Sequence, residues 1–266
     1  SDLDAGAGLE ELLSVVPFGI EAETGPVGSE KTSSEFRSLF PDIADDDILL
    51  LWGGVLSSWY DPETLLRALK TAREADPRIK LLFLATGHPN PVVPAMDAVP
   101  AARKLTAELG LPAGAVTFND GWIPYARRGS VFRRADIGVS IHKTHFETRY
   151  AFRTRMLDYL KYGLPIIGTE GDVFAELVEK NALGRVVGSG DAAGLARAIV
   201  ELAGNAAERT AICARAAEFR ERFLWKNTVE PLSAWCGRVL AGDLTLPRRP
   251  SREDVIRVCA GSNGPA

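Results

Sequence analysis

Three observations predict that the 266-residue chain is an α/β protein, a doubly wound, Rossmann-like six-stranded parallel sheet. First, short apolar runs recur at 48–52 (ILLLW), 80–85 (KLLFLA), 115–118 (AVTF), 137–141 (IGVSI), 165–168 (PIIG) and 185–187 (RVV), each of strand length. Second, segments with helical spacing of apolar residues separate them, near 62–75, 97–109, 126–134, 154–162, 173–180 and 191–203. Such alternation covers both faces of a parallel sheet with helices. Third, six strands suit the order 3-2-1-4-5-6, in which the loops after strands 1 and 4 meet at the ligand-binding switch point.

Taken in order, residues 1–47 read as a tether rather than as core. Leu12 to Phe18 has the character of one strand, and Gly25 to Ser34 is a polar link. The first strand leads into Trp52-Gly53-Gly54, and Asp61 then caps a helix with Pro62 at its first position. Gly53 and Gly54 would let backbone approach a phosphate, or else make a tight turn of positive φ. Neither the spaced dinucleotide fingerprint nor a Gly-Lys-Ser/Thr phosphate loop is present. After strand 2, His88 lies among prolines and reads as a loop-fixing residue. After strand 3, Trp122, Ile123 and Pro124 offer a platform for a flat base; alternatively Trp122 and Tyr125 only pack the helix that follows.

The stretch after strand 4 carries the densest chemistry. Glu147, Arg149, Arg153 and Arg155 lie between the strand and a helix that begins near Thr154, repeats apolar Met156, Leu157 and Leu160, and stops at Gly163-Leu164-Pro165. Helix starts attract anions, and arginine binds phosphate through a planar fork of donors. Arg155 and Asp158, three apart, share a helix face, so the carboxylate can accept sugar hydroxyls beside a bound phosphate. Each residue alone reads as solvated surface; their clustering beyond a strand favours a site. Lys161, a turn further on, is expected to face solvent. His142, His145 and Glu147 lie in a loop with no further ligands, so no metal site is expected. No Ser–His–Asp arrangement is visible either.

The totals set bounds. With 46% hydrophobic and 25% charged residues and a net charge of −4, nothing favours a nucleic-acid or membrane surface. Cys213, Cys236 and Cys259 form neither a disulfide framework nor a zinc pattern, which suits a reducing cytoplasm. No signal peptide or membrane-length apolar run is present. The expected organisation is a linking segment at 1–47, a Rossmann-like domain at 48–224, and a further segment at 225–266 that ends in a flexible tail.

The segment ETRYAFRTRMLDYLKYGLP (147–165), with WGG (52–54) and DGWIPY (120–125), resembles the carboxyl-terminal, donor-binding half of retaining GT-B glycosyltransferases of family 4 (group 1). The resemblance covers about 48–235 and implies a nucleoside diphosphate sugar as donor, with no cofactor and no metal. It makes Asp158, five residues before Gly163, the ribose-binding acid. The family's first acid falls on Tyr150, a departure that leaves Glu147 as the candidate catalytic contact to the donor sugar. Ser57, Ser58 and Trp59 stand where the family usually places an Arg and a Lys for the diphosphate, so Arg153 and Arg155 would act from across the switch point. Gly53, Gly54, Trp122, Ile123, Pro124 and Arg149 complete the expected donor site. A complete enzyme has two such halves, so the resemblance implies a donor-domain fragment that lacks the acceptor-binding half and transfers no sugar alone: a linker and the end of a missing amino-terminal domain at 1–47, a nucleotide-sugar-binding domain at 48–224, and a crossing helix with a flexible tail at 225–266. The implied location is cytoplasmic, compatible with a peripheral membrane position for a full-length enzyme. The competing readings are a nucleotide-sugar epimerase of the same fold and a non-catalytic Rossmann-type binding module.

Overall fold

The computed structural model describes residues 15–22, 33–87, 90, 92 and 97–242. The chain divides into two compact units, 18–227 and 1–17 with 228–266. In the smaller unit the described element is a helix, Glu230–Ala241, closed by Gly242 in the left-handed region at φ 79°. In the larger unit the described strands are β1 (Ile48–Val55), β2 (Ile79–Ala85), β3 (Val116–Phe118), β4 (Ile137–Ser140), β5 (Ile166–Thr169) and β6 (Gly184–Val187). They form one parallel sheet in the order β3-β2-β1-β4-β5-β6, as the alternation of strands and helices predicts.

The central strands are apolar throughout because both their faces are buried. On β1, Leu49 and Leu51 join one core cluster while Leu50 and Trp52 join the other. Helices α2 (Pro62–Ala75), α3 (Ala98–Glu108) and α7 (Ala192–Gly204) cover the second face through Leu65, Leu69, Val99 and Ile199. Helices α4 (Tyr125–Arg134), α5 (Arg155–Lys161) and α6 (Val173–Lys180) cover the first through Phe132, Met156, Leu160 and Phe174. Helix α8 (Ala206–Phe219) reaches both clusters, with Ile212 in one and Ala216 in the other. The Asp61 cap follows the sequence, accepting from the Thr64 N–H at 3.0 Å; Asp172 caps a further helix by accepting from that of Ala175 at 2.8 Å.

Two expectations are corrected. Residues 33–47 are part of the domain, not a tether. A short helix, α1 (Ser34–Leu39), sends Phe36 into the first core cluster, followed by Phe40 and Ile43. Arg134, buried on α4, locks this segment down by donating to the carbonyls of Ala44 (2.6 Å) and Asp47 (2.9 Å) and to Asp136 (3.1 Å). The unit also starts at 18 rather than 48. The expected strand at 12–18 is absent over its described part, 15–18, and Ile20 instead makes a single bridge to Leu224. Second, Gly53 and Gly54 lie inside β1 rather than in a positive-φ turn. Residues 25–32 of the Gly25 to Ser34 link, His88 and the expected tail beyond 242 lie outside the described residues.

Candidate functional site

The loops after β1 and β4 meet beyond the sheet. The Asp61 N–H donates to the Ile141 carbonyl at 3.0 Å, and Tyr60 and His142 form an antiparallel bridge. This is the switch point, where the central strands diverge into opposite crossovers. A cavity of about 670 Å³ opens there, walled by Gly53–Val55, Trp59 and Tyr60 on one side and by 151–155, Leu157, Asp158 and Lys161 on the other. Residues 18–21 supply a third wall.

Arg155 crosses the end of β1. Its Nη2 donates to the Val55 carbonyl at 2.9 Å, and its guanidinium stacks 4.2 Å from the Tyr60 ring centre and 4.7 Å from that of Trp52. A Cβ on Gly54 would approach Nη2 to 3.2 Å, so the glycine is what lets the guanidinium lie this close. Nη1 is enclosed and has no hydrogen-bond partner. Burial lowers this guanidinium's pKa from its ordinary value, so the protein holds a costly cation without a carboxylate to neutralise it.

Asp158 sits one turn along α5 and lines the same cavity. Its Oδ2 accepts from Arg128 at 2.9 Å, while burial raises its pKa in spite of that partner. Arg153 behaves differently from Arg155. It is buried, donates from Nε to Asp172 at 3.0 Å and from Nη2 to Glu147 at 3.2 Å, and rests 5.4 Å from the Tyr60 ring centre. The structure thus brings Gly53, Gly54, Glu147, Arg153, Arg155 and Asp158 together. Arg149 is apart, lining a separate groove with His145 and Glu176. Trp122 and Ile123 line a neighbouring pocket of about 190 Å³, which shares Gly53, Gly54, Val55 and Arg128 with the main cavity. Pro124 immediately precedes α4. Trp122 is 67% exposed, so it is not spent on packing that helix.

The Gly53 N–H is taken by the Tyr159 hydroxyl at 2.9 Å and is not free for a phosphate. Lys161 corrects another expectation. It is buried rather than solvent-facing, lines the cavity, and reaches Glu21 at 3.5 Å.

Residues 47–205, more than half the chain, match the family model described as glycosyl transferases group 1. The chain belongs to the group 1 glycosyl transferases. No curated protein matches it in sequence. Among solved structures, Anabaena HepE in complex with UDP and glucose is 19% identical with a TM-score of 0.62, over 88% of this chain and 58% of that one. Sucrose-phosphate synthase from Thermosynechococcus elongatus is 18% identical with a TM-score of 0.61, over 85% and 52%. The carboxyl-terminal domain of the group 1 protein LpcC from Francisella tularensis is 14% identical with a TM-score of 0.54, over 74% and 92%. These likenesses show the fold. The chain spans little more than half the length of the first two structures.

In this glycosyltransferase-family chain, several residues in and around the cavity escape a reading of the sequence. Tyr60 carries both guanidinium groups on its ring, yet a tyrosine before a helix cap has no pattern that marks it. Arg128 pairs with Asp158 across 30 residues. Asp172 both caps α6 and anchors Arg153, and the reading of the sequence singled out neither role. His142, beside that anchor with Nδ1 4.0 Å from Asp172, is held neutral: burial and the Arg153 charge lower its pKa to about 4. Among the described residues no helix is long and apolar enough to cross a membrane.

Proposed function

We propose that the 18–227 unit is the donor-binding domain of a retaining family 4 glycosyltransferase, and that its switch-point cavity holds a nucleoside diphosphate sugar. The observation that carries this reading is the enclosed, unneutralised guanidinium of Arg155 in one cavity with the half-buried carboxylate of Asp158. The Arg155 guanidinium borders the cavity, and a diphosphate is the anion that best repays its desolvation. Asp158 keeps Oδ1 open while Arg128 occupies Oδ2, which suits a ribose hydroxyl. The pocket beside Trp122 and Ile123 lies next to both groups and accommodates a flat base. In this reading the cation of Arg155, rather than a metal ion, balances the negative charge that develops on the leaving diphosphate. The sugar acceptor is met by a separate amino-terminal domain, so this chain alone binds donor without transferring sugar. The expected location is the cytoplasm.

Titration calorimetry of the chain with UDP, GDP, dTDP and ADP, and incubation of their sugar conjugates with the chain and an acceptor, test the reading. Binding of at least one diphosphate is expected, with no sugar passed from any conjugate to an acceptor. Absence of binding to all four would sink the donor site, and transfer by the chain alone would overturn the two-domain requirement.

A further inference from the structure

Arg153 and Arg155 are two residues apart and line one cavity, yet their surroundings assign them different work. Among the described residues Arg155 has no carboxylate partner, and its Nη1 is enclosed without a hydrogen bond. Arg153 has two carboxylates. Its Nε is fixed by Asp172 at 3.0 Å, and Asp172 is itself fixed, since its other oxygen caps α6 through the Ala175 N–H at 2.8 Å. Its Nη2 holds Glu147 Oε2 at 3.2 Å, and the Tyr60 ring closes off its face. Arg153 and Asp172 are buried, whereas the Glu147 side chain is 55% exposed and lines the cavity. The chain Asp172–Arg153–Glu147 therefore runs from a helix cap to the cavity wall and carries a net charge of −1. An anionic diphosphate approaching it would have to displace a carboxylate first.

We infer that Arg153 is a positioning residue. It holds Glu147 Oε1 toward the hydroxyls of the donor's sugar ring and makes no contact with the diphosphate. A carboxylate oxygen only accepts hydrogen bonds, so it suits hydroxyl groups and repels phosphate. The assignment rests on the donor-site reading above and deepens it: Arg155 takes the diphosphate, and the anchored Glu147 takes the sugar.

The test compares a nucleoside diphosphate with its glucose conjugate, for each of UDP, GDP, dTDP and ADP, by calorimetry on the full chain. The pairs measured are those in which the parent binds the diphosphate. Glu147→Gln and Arg153→Gln are each expected to leave diphosphate affinity within about twofold. Each should weaken the sugar conjugate on the order of tenfold, the loss of one charge-assisted hydrogen bond. Arg153→Lys should recover part of that loss, and the double variant should be no worse than either single one. Arg155→Gln should weaken diphosphate and conjugate alike. Glu147 is surface-exposed, so Glu147→Gln remains informative even where Arg153→Gln fails to fold. Diphosphate affinity falling about tenfold in a folded Arg153→Gln would make Arg153 a phosphate ligand and overturn the inference. Unchanged conjugate affinity in Glu147→Gln would overturn it as well. A parent that binds no diphosphate overturns the donor-site reading, and with it this assignment; the three failures are distinct.

Discussion

The ring of Tyr159 lies against the bare α-carbon of Gly138, where an added Cβ would come within 2.6 Å of it. From that seat the hydroxyl accepts the Gly53 N–H at 2.9 Å and reaches the carbonyls of Leu51 (2.9 Å) and Val139 (2.8 Å). Burial pushes its pKa up to about 12, so it stays a neutral donor that ties β1 to β4 beneath the cavity. Gly138→Ala is expected to cost about 1–3 kcal/mol by overpacking. Tyr159→Phe, which strands the Gly53 N–H, should cost about 1–3 kcal/mol. Melting temperatures should fall by roughly 2–4 °C per kcal/mol. Two variants that melt like the parent would remove Tyr159 from this role.

Arg155→Ala should weaken nucleoside diphosphate binding. A charge-assisted hydrogen bond contributes about 1.5–3 kcal/mol, which converts to roughly tenfold to a hundredfold in affinity. Arg155→Lys should not restore it, because an ammonium lacks both the flat stacking surface over Trp52 and Tyr60 and the planar fork of parallel donors. Calorimetry decides: full binding by the lysine variant would mean that charge alone suffices.

Asp158 predicts a pH dependence. Its pKa is raised from 3.8, first by burial, with Arg128 opposing. The carboxylate therefore takes up a proton at a higher pH than an ordinary aspartate. Nucleotide binding that uses it as a ribose acceptor should weaken as pH falls toward that raised value, and Asp158→Asn should flatten the profile. For stability the sign is opposite. Below 3.8 the group is protonated in both states and costs nothing; its share of stability is lost as pH rises through the folded value. A binding profile identical in parent and Asp158→Asn would exclude this residue from the site.

Arg134→Ala should destabilise the domain by about 3–5 kcal/mol, since it removes the buried partner of Asp136 together with two backbone anchors of residues 33–47. Arg127→Ala is the contrast. It breaks the exposed pair with Glu35 at 2.8 Å and should cost only about 0.2–1 kcal/mol. Trypsin should cut after Arg37 faster in the first variant than in the second. Equal cutting rates would mean that Arg134 does not hold the segment.

The sheet order was legible because each strand is a short apolar run between amphipathic helices, and the connection rules for parallel sheets leave few orders open. Asp61 was legible as a cap, and Arg155 and Asp158 as neighbours, because those relations span three residues. What escaped depends on distance along the chain. Arg153 is occupied by Asp172, 19 residues on, and Lys161 turns inward toward Glu21. Neither fact leaves a local pattern. The domain status of 33–47 did leave one: Phe36, Phe40 and Ile43 follow the i, i+4, i+7 spacing of a packed face, masked by the acidic run Asp45-Asp46-Asp47 that follows.

The stacking of Arg155 on Trp52 equips the cavity with an optical reporter. Of the five tryptophans, Trp52 alone is fully buried, while Trp59, Trp122, Trp225 and Trp235 are 42–67% exposed. Its indole N–H shares the Val55 carbonyl with Arg155 Nη2, at 3.2 and 2.9 Å. Any ligand that draws the guanidinium toward itself alters the charge above the ring and the hydrogen bond at its edge together. The blue edge of the emission spectrum belongs to this one indole, so occupancy of the site can be followed in the unlabelled protein, before its ligand has a name.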